Sequence, residues 1–373
     1  MTFWGRGAGR PAPVPAAGSD GRVTMDEAVG SGEPTEIERL AAARGGDADA
    51  FAALTRPRQR ELHVHCYRML GSLDDADDAL QETLLRAWRQ LDRFEPRAPF
   101  RAWLYRIATN VCLTMLARRG RRGEVTTAAL AAARHDAGRQ EGEPVQPDPY
   151  PDRLLDELGS TAAGPEAAVE QREGVELAFV AAVQLLPPRQ RASLLLRDVV
   201  GYTAAEVAAM LATSVAGVNS ALQRARVTLA QERIAGRVTR PHAEPGTATE
   251  QALVRRLVEA WQAADVPSLV ATLTEDALLT MPPLPDRYVG RAAIGGFLAT
   301  VPGGGRLDRF RLVPTRANRQ PAVAAYERDG DDGPYHAHAV LVLAIEGDAI
   351  ASLVRFAHPA LFGRFGLPPT LPG

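Results

Sequence analysis

The chain contains no lysine: all 43 basic residues among its 373 are arginine, a bias that a GC-rich genome produces on its own. Cysteine is nearly absent. Cys66 and Cys112 lie far apart in sequence and form no CxxC pair, which excludes a disulfide framework and a cysteine-rich zinc site and fits a reducing cytoplasm. No apolar run approaches the roughly 18 residues of a membrane span, and the N-terminus has no apolar signal-peptide core. Net charge is only −2, so overall charge does not argue for nucleic acid.

What is present is an ordinary globular composition with an uneven charge distribution. Hydrophobic residues make up 46% of the chain, enough to bury a real core, and the length suggests two or three domains. Arginine is dense from Arg56 to Arg122 and ends in the cluster Arg118, Arg119, Arg121 and Arg122. From Gly123 to Arg172 there are instead ten acidic residues against four arginines, a difference of −6. A basic block followed by an acidic one points to separate roles.

The pattern divides the chain as follows. Residues 1–34, rich in Gly, Pro and Ala, read as a disordered extension, with Met25 a second candidate start. Residues 35–122 read as helices. One carries Leu80, Leu84, Leu85, Trp88 and Leu91 at helical spacing. The next carries one apolar stripe of Phe100, Trp103, Leu104, Ile107, Ala108, Val111 and Met115, with Gly120 as its expected end. Residues 123–170 read as an acidic flexible linker. Residues 171–238 are helical again, with a capping box at Thr203–Glu206 and a turn at Thr213-Ser214, which together give a helix-turn-helix. A linker at 239–249 leads to residues 250–366, where helices around Leu253–Ala263 and Ala292–Thr300 and strands at Val323–Glu327, His336–Ile345 and Ile350–Phe356 indicate an α+β domain. Residues 367–373 form a tail.

Three motifs carry chemistry. Asp75–Glu82 opens a helix with acids and amides on its polar face; alone this reads as a solvated helix start favoured by the helix dipole. In Phe100–Asn110 the stripe takes Phe100, Trp103 and Ile107 into the core. It leaves Arg101, Arg106 and Asn110 to reach phosphates or a base edge and Tyr105 as the better candidate to stack on an unpaired base. Arg118 and Arg119 add a phosphate-seeking patch. In the helix-turn-helix, Ser214, Asn219, Ser220, Gln223 and Arg224 lie off the apolar face, where a recognition helix presents side chains to the major groove.

The order of these motifs resembles the extracytoplasmic-function (ECF) class of sigma factors over residues 46–238, the linker excepted. That resemblance implies that Asp75–Glu82 with Leu84-Leu85-Arg86-Ala87-Trp88 forms the region-2 helix that docks on the polymerase β′ clamp helices, through Asp78, Gln81, Glu82, Leu85 and Trp88. It implies that Phe100–Asn110 melts and reads the −10 element, with Asn110 on a flipped base and Arg101, Tyr105, Arg106, Arg118 and Arg119 beside it. Leu186–Arg226 resembles region 4, which reads the −35 element and meets the β flap. The acidic linker resembles the segment that threads near the active-site channel and RNA exit path.

The C-terminal residues Leu257–Trp261, Met281–Pro285, Tyr288–Arg291 and Ala293-Ile294 resemble a SnoaL-like (NTF2-like) domain, an α+β cone with a pocket. Asn318–Ala322 before Tyr326 looks like the approach to a strand of that domain. Such domains occur fused to a subset of these sigma factors, where the resemblance implies tuning of activity rather than catalysis. Trp261, Met281, Tyr326, His336 and His338 are candidate pocket residues. An acid–base or metal site at His336-x-His338 with Asp286 or Glu327 is weaker than pocket lining or surface histidines, and His63-x-His65-Cys66 reads as helix packing.

The expected architecture is thus two all-α sigma domains plus an α+β cone, without metal, cofactor or membrane. The expected partners are core RNA polymerase, promoter DNA and an anti-sigma protein or small-molecule ligand, and the expected location is the cytoplasm. Two other readings stay open. One is a stand-alone helix-turn-helix regulator with a ligand-sensing domain, which would bind DNA without polymerase. The other is a fused SnoaL-like enzyme, which requires both histidines and an acid to converge in one pocket.

Overall fold

The computed structural model describes residues 35–95, 98–133, 147–156, 175–234 and 246–373, apart from 283, 285 and 331; for 120–133 and 232–234 it describes the backbone alone. The N-terminal extension with Met25, and most of the acidic 123–170 stretch beyond its first helical residues, lie outside the described residues.

The first helices carry their own start signals. Thr35 and Glu38 form a capping box before α1 (Glu36–Arg44), Asp47 caps α2 (Ala48–Leu70) and Ser72 caps α3 (Leu73–Arg89). Gly71, at φ 74°, ends α2 in the left-handed conformation that glycine adopts without strain. The fourth helix, α4 (Phe100–Ala133), buries its predicted stripe, including Phe100, Trp103, Leu104, Ile107, Ala108 and Val111, against α2 and α3. It does not stop at Gly120 as expected. A glycine costs a helix only about 1 kcal/mol, and the alanine-rich run that follows favours continuation. Cys66 and Cys112, distant in sequence, are both fully buried free thiols that meet in this core; burial and the neighbouring Cys66 push the Cys112 thiol up, which keeps it protonated.

The second helical module holds α6 (Leu177–Gln184), α7 (Pro188–Leu194), α8 (Ala204–Met210) and α9 (Val215–Ile234). Pro188 starts α7 at the first turn, where its missing N–H costs nothing. A capping box between Thr203 and Glu206 starts α8. From α8 to α9 the axes turn through 101°, the geometry of a helix-turn-helix. No single helix among the described residues is long and apolar enough to cross a membrane.

The C-terminal module wraps a mixed sheet. Its helices are α10 (Ala248–Gln262), α11 (Val266–Ala271), α12 (Arg291–Thr300) and the short α13 (Leu361–Arg364). Its strands are β1 (Leu273–Thr280), β2 (Arg287–Val289), β3 (Phe310–Ala317), β4 (Gln320–Arg328), β5 (Tyr335–Glu346), β6 (Ala349–Phe356) and β7 (Thr370–Leu371). The order is β2-β1-β6-β5-β4-β3, with β7 on β5; β1 and β6 run parallel and the other pairs antiparallel.

Side chains alternate across the sheet, so its two faces serve different neighbours. Val323, Ala325, Leu341, Leu343 and Leu353 pack under α10 and α12 in a core of their own. Ala322, Ala324, Tyr326, Val340 and Val342 belong instead to the core that runs through both helical modules. The sheet is therefore a shared wall between the cone and the rest of the protein.

Candidate nucleic-acid and polymerase interfaces

On α3 the buried residues Leu73, Ala76, Ala79, Thr83 and Ala87 recur at helical spacing and turn that face to the bundle. The opposite face carries the residues expected to meet polymerase. Asp78 and Gln81 are exposed and Glu82 is half-buried, paired with Arg86 at 2.6 Å. Leu85 is 50% exposed and Trp88 36%, one of few exposed large apolar pairs among the described residues; the Trp88 ring leans on Phe51 at 5.0 Å. Two apolar side chains left in water on one helix face mark a contact surface better than the acids do.

On α9 and at Ser214 just before it, all five residues expected at the −35 element are exposed: Ser214, Asn219, Ser220, Gln223 and Arg224. Val218, Ala221, Leu222 and Ala225 hold the helix from behind. Arg224 rests on Ser220 at 2.5 Å, a bond between two exposed groups that a base or phosphate can replace.

The −10 set on α4 is divided. Arg106, Asn110 and Arg118 are exposed, and Arg119 pairs with Asp75 of α3. Arg101 and Tyr105 are covered. Arg101 forms a fork with Glu61 of α2, at 2.7 and 2.9 Å, and donates to the Tyr202 hydroxyl at 3.3 Å. Tyr105 is 3% exposed, with its ring 5.6 Å from that of Tyr202. Burial, and then the Glu61 carboxylate, push its phenol well up, so it stays neutral. The stacking role expected for Tyr105 is thus blocked in this conformation. What covers it is the Tyr202 ring of the second helical module.

Tyr202 sits in the loop before α8, so its contact joins the two helical modules. Arg191 of α7 strengthens the joint. It is 5% exposed and donates to the Met69 carbonyl of α2, to the Gln184 side chain at 2.6 Å and to the Gln184 and Leu186 carbonyls at 2.7 and 3.1 Å. Gln184 in turn donates to the Arg68 carbonyl at 2.9 Å.

A further joint involves the stretch expected to be flexible linker. Residues 147–156, ending in the helix α5 (Asp152–Asp156), are packed between α2 and the β3–β4 hairpin. Tyr150 is fully buried, its hydroxyl 2.7 Å from His63 Nδ1, and the Tyr67 hydroxyl donates to the Asp148 carbonyl at 2.7 Å. The hairpin meets them through its tip. Asn318 and Arg319 both have positive φ, 56° and 61°, the two-residue turn that matches strand twist. Asn318 is 0% exposed. Its amide oxygen accepts from Tyr150 N at 2.8 Å; its amide nitrogen donates to Tyr67 Oη at 3.0 Å and to the Val175 carbonyl at 2.6 Å. One side chain thus ties α2, the 147–156 segment and the start of the second helical module. The segment expected as a strand approach is a hairpin turn, and the linker is fixed here because these buried bonds hold it.

The C-terminus makes the last joint. Arg364 of α13 pairs with Asp74 and, at 2.8 Å, with Asp77 of α3, and Asp77 lies 3.0 Å from His63 Nε2. It grips the start of α3 and leaves Leu85 and Trp88 free.

In the cone, Trp261, Met281 and His338 line a cavity of about 290 Å³. Tyr326 does not; it lies on the other sheet face, against Phe362 of α13 at 4.9 Å. His336 is exposed and outside the cavity. Ala325 pairs with Ala339 and Tyr326 with Ala337, so His338 is the extra residue of a β-bulge, which aims it into the cone. The two histidines therefore do not converge there, and among the described residues no cluster of metal-ligating side chains forms.

Comparison with known proteins agrees with this arrangement. The sequence matches Sigma-70 region 2 over residues 54–122, Sigma-70 region 4 over 176–229 and the SnoaL-like domain over 254–353. It is 42% identical to the ECF RNA polymerase sigma factor SigG of Mycobacterium tuberculosis, over 88% of this chain and 86% of that protein. The chain belongs to the ECF family of RNA polymerase sigma factors. The sigma factor SigM of the same organism is 34% identical over 55% of this chain and 89% of its own length. The crystal structure of the M. tuberculosis ECF sigma factor SigJ has the same fold, with a TM-score of 0.55 and 23% identity over 85% of this chain and 99% of that one. The matches place most of α2, α3 and α4 up to residue 122 in sigma region 2, α6 to α9 up to residue 229 in sigma region 4, and most of the cone in a fused SnoaL-like domain.

Sequence reasoning missed Tyr202, Glu61, Tyr150, Arg355 and Arg364 as site residues. Tyr202 lies just before the Thr203–Glu206 capping box, and nothing local marks a side chain that caps a distant helix.

Proposed function

We propose that the protein is a promoter-specificity subunit whose C-terminal domain holds it closed. It binds core polymerase through Asp78, Gln81, Glu82, Leu85 and Trp88. It opens and reads a −10 element through Arg101, Tyr105, Arg106, Asn110, Arg118 and Arg119, and grips a −35 element through Ser214, Asn219, Ser220, Gln223 and Arg224. It works in the cytoplasm and performs no covalent chemistry; the separation of His336 from His338 weighs against the enzyme reading. An anti-sigma protein remains a further expected partner.

The observation that carries the regulatory part is the cover over Arg101 and Tyr105 by Tyr202. Region 2 cannot stack an unpaired base on Tyr105 while region 4 lies there. Asn318 and Arg364 of the cone, by fastening region 2, the 147–156 segment and region 4, favour that closed form. The exposed clamp-facing side of α3 lets polymerase dock first and opening follow.

Run-off transcription with reconstituted core polymerase tests this reading. Full-length protein should start transcripts from a cognate promoter, and Asn110→Ala should reduce them while core binding persists. A chain that shifts promoter DNA tightly without core enzyme would favour the stand-alone regulator instead. A chain that neither co-elutes with core nor starts transcripts would sink the proposal.

A further inference from the structure

The cone cavity lies on the side of the sheet away from the sigma modules. Leu257, Leu279, Phe297, Phe310 and Leu341 are among its apolar lining, and at about 290 Å³ it is at the small end of ligand pockets. Its polar groups are few and have specific states. His338 Nε2 lies 2.6 Å from an Arg355 nitrogen and its Nδ1 3.1 Å from Glu327. A guanidinium can only donate, so Nε2 accepts and the imidazole proton sits on Nδ1, directed at Glu327. Burial, then the neighbouring guanidinium, hold His338 below the usual imidazole range, consistent with this neutral form.

Two donors are then left over. Arg355 makes a single hydrogen bond among the described residues, the one to His338, and forms no direct ion pair with Glu327. Trp261 is 6% exposed, lines the cavity, and its indole N–H is buried without a partner among the described residues. A buried donor left unpaired costs about 1–3 kcal/mol, so native proteins rarely keep one without a use. The cavity thus offers an apolar wall, an underused cation and an orphan N–H, while one of its two acids, Glu327, is already engaged by the imidazole and the other, Asp286, is exposed.

We propose that the cone binds a small, largely apolar organic acid. Its carboxylate sits on Arg355 and takes the Trp261 N–H, and its hydrocarbon body fills the leucine- and phenylalanine-lined space. His338 and Glu327 are positioning residues: the bulge brings His338 inward, and the pair fixes the orientation of the guanidinium. The binding does not depend on the sigma-factor reading and is measured without polymerase.

The probe set is 1-naphthoate with two isosteres, 1-naphthalenemethanol and 1-naphthalenemethylamine, titrated calorimetrically into the full-length chain. Saturable one-site binding of naphthoate is expected, about tenfold or more tighter than either isostere. Arg355→Gln should weaken naphthoate about ten- to a hundredfold and leave the alcohol nearly unchanged. Arg355→Lys, which keeps the charge, should retain the preference for the acid. Trp261→Phe, which keeps the ring packing, should weaken acid and alcohol alike by about three- to tenfold. The proposal is overturned by no saturable naphthoate binding at millimolar concentration, by equal affinity for the three probes, or by preference for the amine, which would move the anchor to Asp286 or Glu327. Unchanged naphthoate binding in both Arg355→Gln and Trp261→Phe also overturns it. None of these results bears on transcription, so a failure here leaves the promoter reading intact.

Discussion

Two helices carry the residues assigned to DNA, and they stand in opposite conditions. On α9 and the residue before it every assigned side chain is exposed, and Arg224 pairs with another exposed one, Ser220. On α4 two of the six are covered by Tyr202, and a third, Arg119, is paired with Asp75. Under the proposed assignment, the −35 surface is open as folded, whereas part of the −10 surface has to be uncovered. That assignment would place control at the melting step, since duplex DNA could be touched without opening the protein and a flipped base could not.

That contrast can be broken at its fastening. Asn318→Ala removes three hydrogen bonds and leaves the Tyr150 N–H, the Val175 carbonyl and the Tyr67 hydroxyl short of a partner. A loss of roughly 2–4 kcal/mol in stability is expected, read as a lower midpoint in urea. Faster hydrogen exchange across α2 and 147–156 should accompany it, with more transcript per bound polymerase. A variant with wild-type exchange would show that the cover over α4 does not depend on this side chain.

On the ready surface, Arg224→Ala should cost about 1–3 kcal/mol, roughly ten- to a hundredfold in run-off transcription, with core binding retained. The measurement sharpens the comparison when run in the Asn318→Ala background, because α9 should respond equally in closed and opened protein.

Acid should loosen the covered side selectively. His65, fully buried beneath Tyr105, is depressed to about 3, chiefly by burial and then by Arg68, and His63 is also lowered, chiefly by burial. The Thr109 hydroxyl donates to the Tyr105 carbonyl, so His65 Nε2 must be the donor in the 2.9 Å contact with it, and the ring is neutral. The unfolded chain takes up these protons near pH 6.5 and the folded one does not. Stability is therefore complete above about pH 6.5 and declines below it, by about 1.4 kcal/mol per pH unit per histidine, down to about pH 3 for His65. His65→Gln should flatten the fall in unfolding free energy between pH 6 and 4.

The smallest expected effect is also the most direct. Tyr202→Ala deletes the ring that lies over Tyr105, a contact worth roughly 0.5–1.5 kcal/mol. Transcription should rise roughly two- to tenfold. No rise would mean that the cap is incidental to the off state.

Much of this was legible beforehand. The helical stripe of α4, the capping box at Thr203 and the helix-turn-helix are local patterns, and each follows from spacing and cap chemistry alone. The exposure of Leu85 and Trp88 was not legible: both were read in one apolar set with Leu80, Leu84 and Leu91, whereas Leu73, Ala76, Ala79, Thr83 and Ala87 take the buried face. What else was not legible comes from pairing over distance. Tyr105 looked free because its cover stands nearly a hundred residues away, on a loop whose own pattern marks only a turn. His336 was placed with His338 by simple alternation, which the bulge at His338 breaks. Tyr326, a candidate for the pocket or the core, fills the core on the opposite sheet face. The 147–156 stretch looked flexible from its composition, since the groups that order it lie in α2 and in the far hairpin.

The β3–β4 turn has one more implication. Hairpin tips generally tolerate extra residues because they end in solvent, but this one ends where three separate parts of the chain converge. Its length is therefore set from outside the hairpin: one residue more or fewer would withdraw the amide from all three contacts together, turning a local change in a peripheral domain into release of the whole assembly.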